Sequence, residues 1–325
     1  MNKFSIQELV QEELKAVEAK LVLTSEKRSI EDPQLLTDLL QHVLETPGKL
    51  TRPAITILSS KFHSHDHDLP ITMAGAVELL HIATLIHDDT VDDSSIRRGR
   101  ETVSSKWGDK IAVLLGDYVF AASATMVCET NNVRVIKRFS ETIMDLSSGE
   151  LSEMSNSYNW HLTKAEYNQR IYYKTASLFS TSSESGAILS GAPENIIQSL
   201  KNYGYHLGMA FQIVDDILDF EGNQDQIGKP VGNDLRQGTI TLPSLLLVEK
   251  YPKDNPIEKL CKNRDIETNL VEAISAIQNS DIMAKSYEIA KDHCSQAKSA
   301  LSPLPNSKYK NCLIELADYV MDRQY

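Results

Sequence analysis

The sequence predicts an all-α protein. Apolar residues recur at intervals of three and four along most of the chain, which is the spacing of one face of an α-helix. Glycine and proline, which interrupt helices, account for only 14 and 11 of the 325 residues. No segment shows the alternation of apolar and polar residues that is typical of a half-buried strand. We therefore expect helices almost throughout, in a single domain over residues 1–325.

The N-terminal part divides into helices with recognisable ends. Residues 4–23 carry their apolar side chains on one face, and we expect this helix to be peripheral, within an N-terminal segment of residues 1–30. A second helix begins near Pro33 and ends before Pro47. Residues 71–86 are apolar nearly all round, which predicts a buried helix.

The remainder of the chain continues the helical pattern. Core helices are predicted over residues 110–130 and 133–147, and a last helix over residues 309–323. The segment YYKTASLF places Lys174 among tyrosines and small residues, which favours a lysine facing a cavity. The glycine-rich, charged stretch GNQDQIGKPVGNDLRQGTITLP predicts a flexible loop of the kind that closes over phosphate sites.

Two acidic stretches are the main functional signals. In LIHDDTVDDSSIRRGRE, Asp88 and Asp92 lie one turn apart on a helix, with Asp89 about 100° round the axis. The stretch AFQIVDDILDF repeats this spacing in Asp215, Asp216 and Asp219. Oxygen ligands without His or Cys favour Mg²⁺, which takes one or two carboxylates together with water and phosphate oxygens. Two such helices facing each other would hold several Mg²⁺ ions around one diphosphate.

Basic residues accompany the first acidic stretch. Arg97 and Arg98 supply fork-shaped donors that suit phosphate oxygens. Lys49 and Arg52 lie three residues apart in GKLTRP, where the residues alone favour a solvated surface. For His81, two turns before Asp88, a core histidine bonded to a neighbour is the default interpretation.

Composition limits the class of partner and the compartment. The formal net charge of −12 argues against nucleic acid or an anionic membrane surface as the main partner. The four scattered cysteines predict reduced thiols that serve as small core residues, which suits a cytoplasmic protein. The N-terminus has no signal-peptide core, and Gly116 and Asp117 break the longest apolar run, so no integral membrane segment is expected.

With these segments in order, the sequence resembles the trans-isoprenyl diphosphate synthases, or polyprenyl synthetases, from about Gly48 to the C-terminus. Five blocks carry the resemblance: GKLTRP, LLHIATLIHDDTVDDSSIRRG, YYKTA, FQIVDDILDF and GKPVGNDL. The resemblance implies an isoprenoid synthase bundle of helices around a deep central cavity, and a homodimer. It also implies that the two aspartate motifs face each other at the cavity mouth.

The resemblance also implies a role for each matching residue. The Mg²⁺ ions would be held by Asp88, Asp92 and Asp215, with supporting ligands or water acceptors at Asp89, Asp216 and Asp219. The allylic diphosphate would be bound by Arg97, Lys174 and Lys229. Isopentenyl diphosphate would be bound by Lys49, Arg52, His81 and Arg98. Thr175 and Gln212 would direct oxygen dipoles at the carbocation, stabilising its charge without a nucleophile to trap it.

The implied reaction is a Mg²⁺-dependent head-to-tail 1′-4 condensation. The allylic C–O bond breaks, the double bond of isopentenyl diphosphate attacks the allylic cation, and a proton is lost, we expect to the departing diphosphate. The side chains one turn before Asp88, Ala83 and Thr84, are small, so we expect a product of C20 or longer, of the class used for quinone side chains. Phe139 and Phe120 are candidate floors deeper in the cavity.

Alternatives remain open at this point. The nearest is a short-chain farnesyl or geranylgeranyl synthase, followed by a class I terpene cyclase, which has no need of an isopentenyl diphosphate site. A di-iron bundle would need two Glu-x-x-His pairs, and only Glu78 with His81 supplies one. The sequence departs from the family pattern at Thr239, where many relatives have lysine, and at Glu153, where many have glutamine.

Overall fold

The computed structural model describes residues 9–26, 33–45, 48–63, 67–221, 231–262 and 264–323. In these ranges the chain is built from α-helices, one π-helix and one short hairpin. The α-helices of the first part are α1 (Gln11–Glu26), α2 (Pro33–Leu44), α3 (Thr51–Ser60), α4 (Asp68–Val91), α5 (Val103–Trp107), α6 (Asp109–Cys128), α7 (Val133–Ser155) and α8 (Lys164–Ile171). Those that follow are α9 (Ser177–Leu189), α10 (Glu194–Glu221), α11 (Asn233–Arg236), α12 (Leu242–Lys250), α13 (Pro256–Cys261), α14 (Ile266–Gln278), α15 (Ile282–Ala300) and α16 (Lys308–Met321).

The chain divides into two compact units, each discontinuous in sequence. The first comprises residues 1–139, 181–198 and 307–312, and the second comprises residues 140–180, 199–306 and 313–325. The single domain over residues 1–325 and the peripheral position of residues 1–30 stay predictions.

Helix α4 is the core helix of the first unit. It packs against α1, α3 and α6, and Met73, Val77 and Leu80 on it are at most 1% exposed. The apolar face predicted for the first helix is buried too, since Val10 and Val17 are 0% exposed. The predicted buried helix thus exists, and it begins three residues earlier and ends five residues later than the sequence indicated.

Two local structures differ from the sequence prediction. The absence of strands is wrong at Ile96–Arg97 and Arg100–Glu101, which pair as the antiparallel strands β1 and β2. Arg98 and Gly99 form their turn, with φ of 52° and 77°, in the left-handed region that suits hairpin turns. A π-helix at Tyr172–Ala176 separates α8 from α9, an irregularity of the backbone that the helical periodicity did not predict.

All four cysteines are free thiols, in agreement with the prediction of reduced cysteines. Cys294 and Cys312 are buried, whereas Cys128 is exposed, so its assignment to the core is wrong. By length and composition, α4 and α6 could each span a membrane, but 67% and 39% of their most apolar stretches are buried inside the fold. Core helices of folded proteins meet the same criterion of length and composition.

A histidine pair joins α10 to α15 in the second unit. The Nδ1 atoms of His206 and His293 are 3.1 Å apart, so one ring donates and the other accepts. Burial, with a contribution from His293, lowers the pKa of His206 to about 4, and burial also lowers the pKa of His293. The nearby carboxylate of Asp292 acts against both shifts. The pair is therefore neutral in the folded protein at neutral pH.

This pair predicts a loss of stability in mild acid. The unfolded chain binds a proton at His206 near pH 6.5, while the folded chain binds it only near pH 4. Stability is therefore fully present above about pH 6.5 and falls as the pH decreases toward 4. In urea titrations at pH 7 and pH 5, His206→Asn should reduce the difference between the two unfolding midpoints. His161→Asn, at an exposed histidine, is the control and should leave the difference unchanged; an equal difference in H206N and wild type would contradict the prediction.

Candidate active site

The first acidic motif lies at the C-terminal end of α4. Asp88 is in the last turn and Asp92 follows it, and the backbone N–H of Asp92 donates to the Asp88 carbonyl at 2.8 Å. The helical spacing therefore continues to Asp92, and the two carboxylates share one face, as predicted. Asp88 is partly exposed and Asp92 is exposed, so both can reach a ligand.

Asp89 has a different environment. Its side chain is buried at 6% exposure, and its Oδ1 accepts a hydrogen bond from Nε of Arg97 at 2.6 Å. The hairpin makes this possible because it turns the chain back toward α4 directly after the motif. Asp89 thus holds Arg97 at the end of α4.

The basic residues of GKLTRP lie beside the second arginine of the hairpin. A Cβ at Gly48 would lie 3.1 Å from both terminal nitrogens of Arg98, so glycine allows the guanidinium to approach this backbone. Nη1 of Arg52 lies 3.3 Å from Nε2 of His81. The first unit therefore brings Arg52 next to His81, and Gly48 next to Arg98. The assignment of Lys49, Arg52, His81 and Arg98 to one diphosphate stays a prediction.

Electrostatics determine the protonation state of His81. Burial, then the charges of Arg52, Arg98 and Arg97, lower the pKa of His81 well below its usual value. The imidazole is therefore neutral, with Nε2 accepting from Arg52 and Nδ1 carrying the proton as a donor. Burial also raises the pKa of the neighbouring Glu78, against the opposing influence of Arg52 and Arg98.

A cavity of about 320 Å³ lies within the first unit. Arg97 and Arg98 line one part of it, and Ile82, Leu85 and Ile86 of α4 line another. Carboxylates of the same unit, among them Glu78 and Asp89, line it as well.

The second unit carries a chain of hydrogen bonds that starts at a buried tyrosine. Tyr167 Oη donates to Oδ2 of Asp216 at 2.6 Å, and Nε2 of Gln212 donates to Oδ1 of Asp216 at 3.0 Å. The Thr175 hydroxyl donates to Oε1 of Gln212 at 2.5 Å. Burial raises the pKa of Asp216 to about 6, while the bonds from Tyr167 and Gln212 lower it. Both oxygens of Asp216 are thus engaged: Oδ2 by Tyr167, and Oδ1 by Gln212, which in turn accepts from Thr175.

The other two aspartates of the second motif contact elements distant in sequence. Asp219 accepts backbone hydrogen bonds from Asn233 at 3.1 Å and Asp234 at 3.2 Å, which fixes the start of α11. Oδ1 of Asp215 lies 2.9 Å from Nη1 of Arg323, whose guanidinium carbon is 4.1 Å from the Phe211 ring centroid.

Lys174 lies in the π-helix and pairs with two carboxylates of α7. Its Nζ is 2.6 Å from Oε1 of Glu153 and 3.1 Å from Oε1 of Glu150. Lys229, which the family resemblance assigns with Lys174 to the allylic diphosphate, lies outside the described residues.

The donor set at the end of α4 is compatible with Mg²⁺. Asp88 and Asp92 provide two oxygen ligands on one helical face, with at least partial exposure, beside the arginines of the hairpin. Mg²⁺ typically uses one or two carboxylates and completes its octahedron with water and phosphate oxygens. Across the ranges that the structure describes, no group of three or more His, Cys, Asp or Glu side chains forms a metal site by itself.

Several residues of these clusters were not found from the sequence. Tyr167 and Arg170 are buried at 0% and 3% exposure, and Arg323 is near the last helix, far in sequence from Asp215. None of the three lies in a block with unusual spacing. Their roles follow from tertiary contacts, for which a single sequence carries no signal.

A chain built almost entirely from helices, with paired carboxylates and with arginine and lysine side chains suited to phosphate oxygens, is typical of enzymes that act on diphosphates. The sequence profile of the polyprenyl synthetase family matches residues 33–278. Component 2 of heptaprenyl diphosphate synthase from Geobacillus stearothermophilus is 37% identical over 284 residues, covering 87% of this chain and 88% of the relative. The chain belongs to the polyprenyl synthetase family, and the expected enzyme class, a prenyltransferase, is confirmed.

Solved structures agree with this assignment. Heptaprenyl diphosphate synthase from Staphylococcus aureus superposes with a TM-score of 0.90 at 36% identity, covering 97% of this chain and 98% of that one. A decaprenyl diphosphate synthase from Rhodobacter capsulatus gives a TM-score of 0.90 at 32% identity, covering 98% of each chain. The predicted all-α isoprenoid synthase fold is therefore confirmed.

Proposed function

We propose that this protein is an all-trans polyprenyl diphosphate synthase that condenses isopentenyl diphosphate head to tail with an allylic diphosphate, giving a product of C20 or longer. The observation that carries the proposal is that the Asp88–Asp92 motif ends α4 and that Asp89, within this motif, binds Arg97 of the hairpin at 2.6 Å. Relatives named as heptaprenyl and decaprenyl diphosphate synthases support the longer product classes, and a quinone side chain is the proposed use of the product.

Isopentenyl diphosphate is bound in this proposal by Lys49, Arg52, His81 and Arg98. The arginines supply paired N–H donors for phosphate oxygens. The neutral His81 is oriented by Arg52 at 3.3 Å, so its Nδ1–H is available to the diphosphate without an additional charge.

The allylic diphosphate is bound by Arg97, Lys174 and Lys229. Asp89 accepts a hydrogen bond from Arg97 at 2.6 Å, which holds this guanidinium at the end of α4 that carries the acidic motif. When bound at Asp88, Asp92 and Asp215, Mg²⁺ supplies positive charge that stabilises the departing diphosphate. Asp216 and Asp219 support this site through the hydrogen bonds that they make to Gln212 and to the start of α11.

The allylic cation is stabilised by dipoles. The Thr175 hydroxyl proton points to Gln212, so the lone pairs of its oxygen are available to positive charge. Its 6% exposure limits the access of water, which would otherwise trap the cation. The proton released after condensation passes to the departing diphosphate.

Incubation of the purified chain with isopentenyl diphosphate, an allylic primer and Mg²⁺, followed by separation of the products by length, tests this function. Products of C20 or longer support it, and products that end at C15 favour the short-chain farnesyl alternative. Cyclic hydrocarbons formed without isopentenyl diphosphate would instead indicate a terpene cyclase. Loss of all product on chelation of Mg²⁺ is expected.

The assignment of some cations to isopentenyl diphosphate and of others to the allylic diphosphate predicts separate effects on the two Michaelis constants. Lys49→Ala and Arg52→Ala should raise the Michaelis constant for isopentenyl diphosphate roughly tenfold or more, because each removes a charged donor to a phosphate. The constant for the allylic substrate should change less. Initial rates with each substrate varied in turn measure both constants, and a larger rise for the allylic substrate would refute the division.

Product length is expected to depend on the turn before Asp88. Ala83 is 1% exposed, whereas Thr84 is partly exposed. A bulky side chain at position 84 therefore conflicts with fewer core side chains than one at position 83. We expect both Ala83→Tyr and Thr84→Phe to shorten the product while condensation continues, because one helical turn, about 5.4 Å, corresponds to roughly one isoprene unit. Radiolabelled products separated by chain length measure the effect. Unchanged length in active forms of both variants would show that the tail does not pass this turn.

We further propose a cytoplasmic homodimer that passes its product to membrane enzymes, with no nucleic-acid partner and no integral membrane segment. Val113 and Leu114 of α6 are 44% and 65% exposed, an apolar surface that a second copy would cover. The Geobacillus relative is named as one component of its synthase. Sedimentation and activity are therefore measured with this chain alone, to test whether it acts without a second component. A monomer that is active alone would refute the dimer.

A further inference from the structure

Lys174, which the proposed function assigns to the allylic diphosphate, is already paired with carboxylates. Its Nζ lies 2.6 Å from Glu153 and 3.1 Å from Glu150. The Lys174 and Glu153 side chains are 29% and 24% exposed, so water screens their attraction only in part. A diphosphate that binds Lys174 must therefore compete with charges of the protein itself.

The fold builds this contact from two helices. A Cβ at Gly149 would lie 2.9 Å from the backbone nitrogen of Lys174, so glycine at this position lets α7 approach the π-helix closely. Glu150 and Glu153 are three residues apart on α7 and thus share a face. The π-helix at Tyr172–Ala176 fixes the backbone from which Lys174 extends.

Glu153 also contacts a second cation. Its Oε2 lies 3.8 Å from Nε of Arg170, which is 3% exposed and donates to the Ile240 carbonyl at 2.7 Å. Glu153 therefore bridges a fixed, buried guanidinium and the more exposed ammonium of Lys174. Arg170 thus lies 3.8 Å from one carboxylate oxygen, and Lys174 lies 2.6 Å from the other.

We propose that Glu153 is a positioning residue that holds Lys174 in place and lowers the affinity of Lys174 for the diphosphate. The inference rests on the proposed function, since it assumes that Lys174 binds the allylic substrate. The anionic carboxylate keeps the ammonium oriented and offsets part of its charge. An enzyme that elongates a chain must release each diphosphate, and Glu153 limits how tightly Lys174 retains it.

The substitution Glu153→Gln tests this, because the amide oxygen still accepts from Lys174 while the negative charge is lost. We expect the protein's dissociation constant for inorganic pyrophosphate, measured by calorimetry in the presence of Mg²⁺, to fall about fivefold. This change corresponds to the free energy of a partly exposed ion pair. The Michaelis constant for the allylic substrate should fall with it. The constant for isopentenyl diphosphate should stay unchanged, and a purely structural role would not separate the two constants.

A double-mutant cycle shows whether the effect passes through Lys174. In the Lys174→Gln background, Glu153→Gln should no longer tighten pyrophosphate binding. Glu141→Gln, on the same helix about three turns earlier, is the matched control and should leave binding as in the wild type. An unchanged pyrophosphate constant in E153Q, or a decrease that persists without Lys174, would overturn the inference. Product formation by the wild-type chain is measured in parallel, so that failure of the proposed function is recognised separately.

Discussion

Asp88→Ala and Asp215→Ala are each expected to lower turnover by roughly 100-fold or more. Asp88 lies in the last turn of α4, and Asp92 follows on the same helical face. Loss of Asp88 would leave Asp92 as the remaining carboxylate of this pair. Asp215 lies in the other unit and pairs with Arg323 at 2.9 Å, so its loss would leave an excess of positive charge there. Steady-state rates at saturating substrate measure the effect, and circular dichroism checks that helix content is retained.

Two carboxylates outside the clusters serve as controls for these variants. Asp109 begins α6 and Glu272 lies on α14, and both are exposed. Asp109→Ala and Glu272→Ala should keep turnover near the wild-type value. Near-normal turnover in either Asp88→Ala or Asp215→Ala would show that the acidic motif concerned does not take part in the reaction. Equal losses in the controls would point to a general effect of charge.

Gly208→Val is expected to abolish most activity although residue 208 touches no substrate. A Cβ at this position of α10 would lie 2.6 Å from the Cα of Ala176 in the π-helix, a distance that real side chains do not adopt. The π-helix must then move, and with it Lys174 and Thr175. Overpacking of this kind typically costs about 1–3 kcal/mol of stability. A displacement of about 1 Å at reacting groups can cost roughly 100-fold in rate.

The measurement for Gly208→Val combines turnover with the midpoint of thermal unfolding. Asn202→Val, on the exposed face of the same helix, introduces the same β-branched residue without the close contact. It reports the cost of valine in a helix, about 0.5 kcal/mol or less. A folded Gly208→Val protein with wild-type turnover would contradict the view that close packing of α10 positions Lys174 and Thr175.

The sequence predicted the helices well where apolar periodicity is strong. The buried helix before Asp88 and the face shared by Asp88 and Asp92 follow from the rotation of about 100° per residue. The structure brings Arg52 within 3.3 Å of His81, and the charge of Arg98 acts on the same imidazole; the grouping of both with Lys49 as one diphosphate site stays a prediction. That grouping came from resemblance to a family, since residue spacing alone left these side chains at a surface or in the core.

Local irregularities were missed because their causes are not local. The hairpin at Ile96–Glu101 has strands of two residues each, too short for alternation to show. The π-helix has a sequence as helical as its neighbours, and it packs closely against Gly149 and Gly208, which are distant in sequence. Composition could not indicate either one.

The sequence by itself determined the helical class, the two carboxylate motifs and the cations suited to diphosphates, because helical periodicity and ligand chemistry depend on residue type and spacing. Only the tertiary structure decided how those residues are used. It engaged both oxygens of Asp216 with Tyr167 and Gln212, and it paired Lys174 with Glu153. These partners lie 21 or more residues apart, except for Gln212 one turn from Asp216. Contacts over such separations depend on how helices pack, and packing is set by the shapes of many side chains together rather than by a short motif.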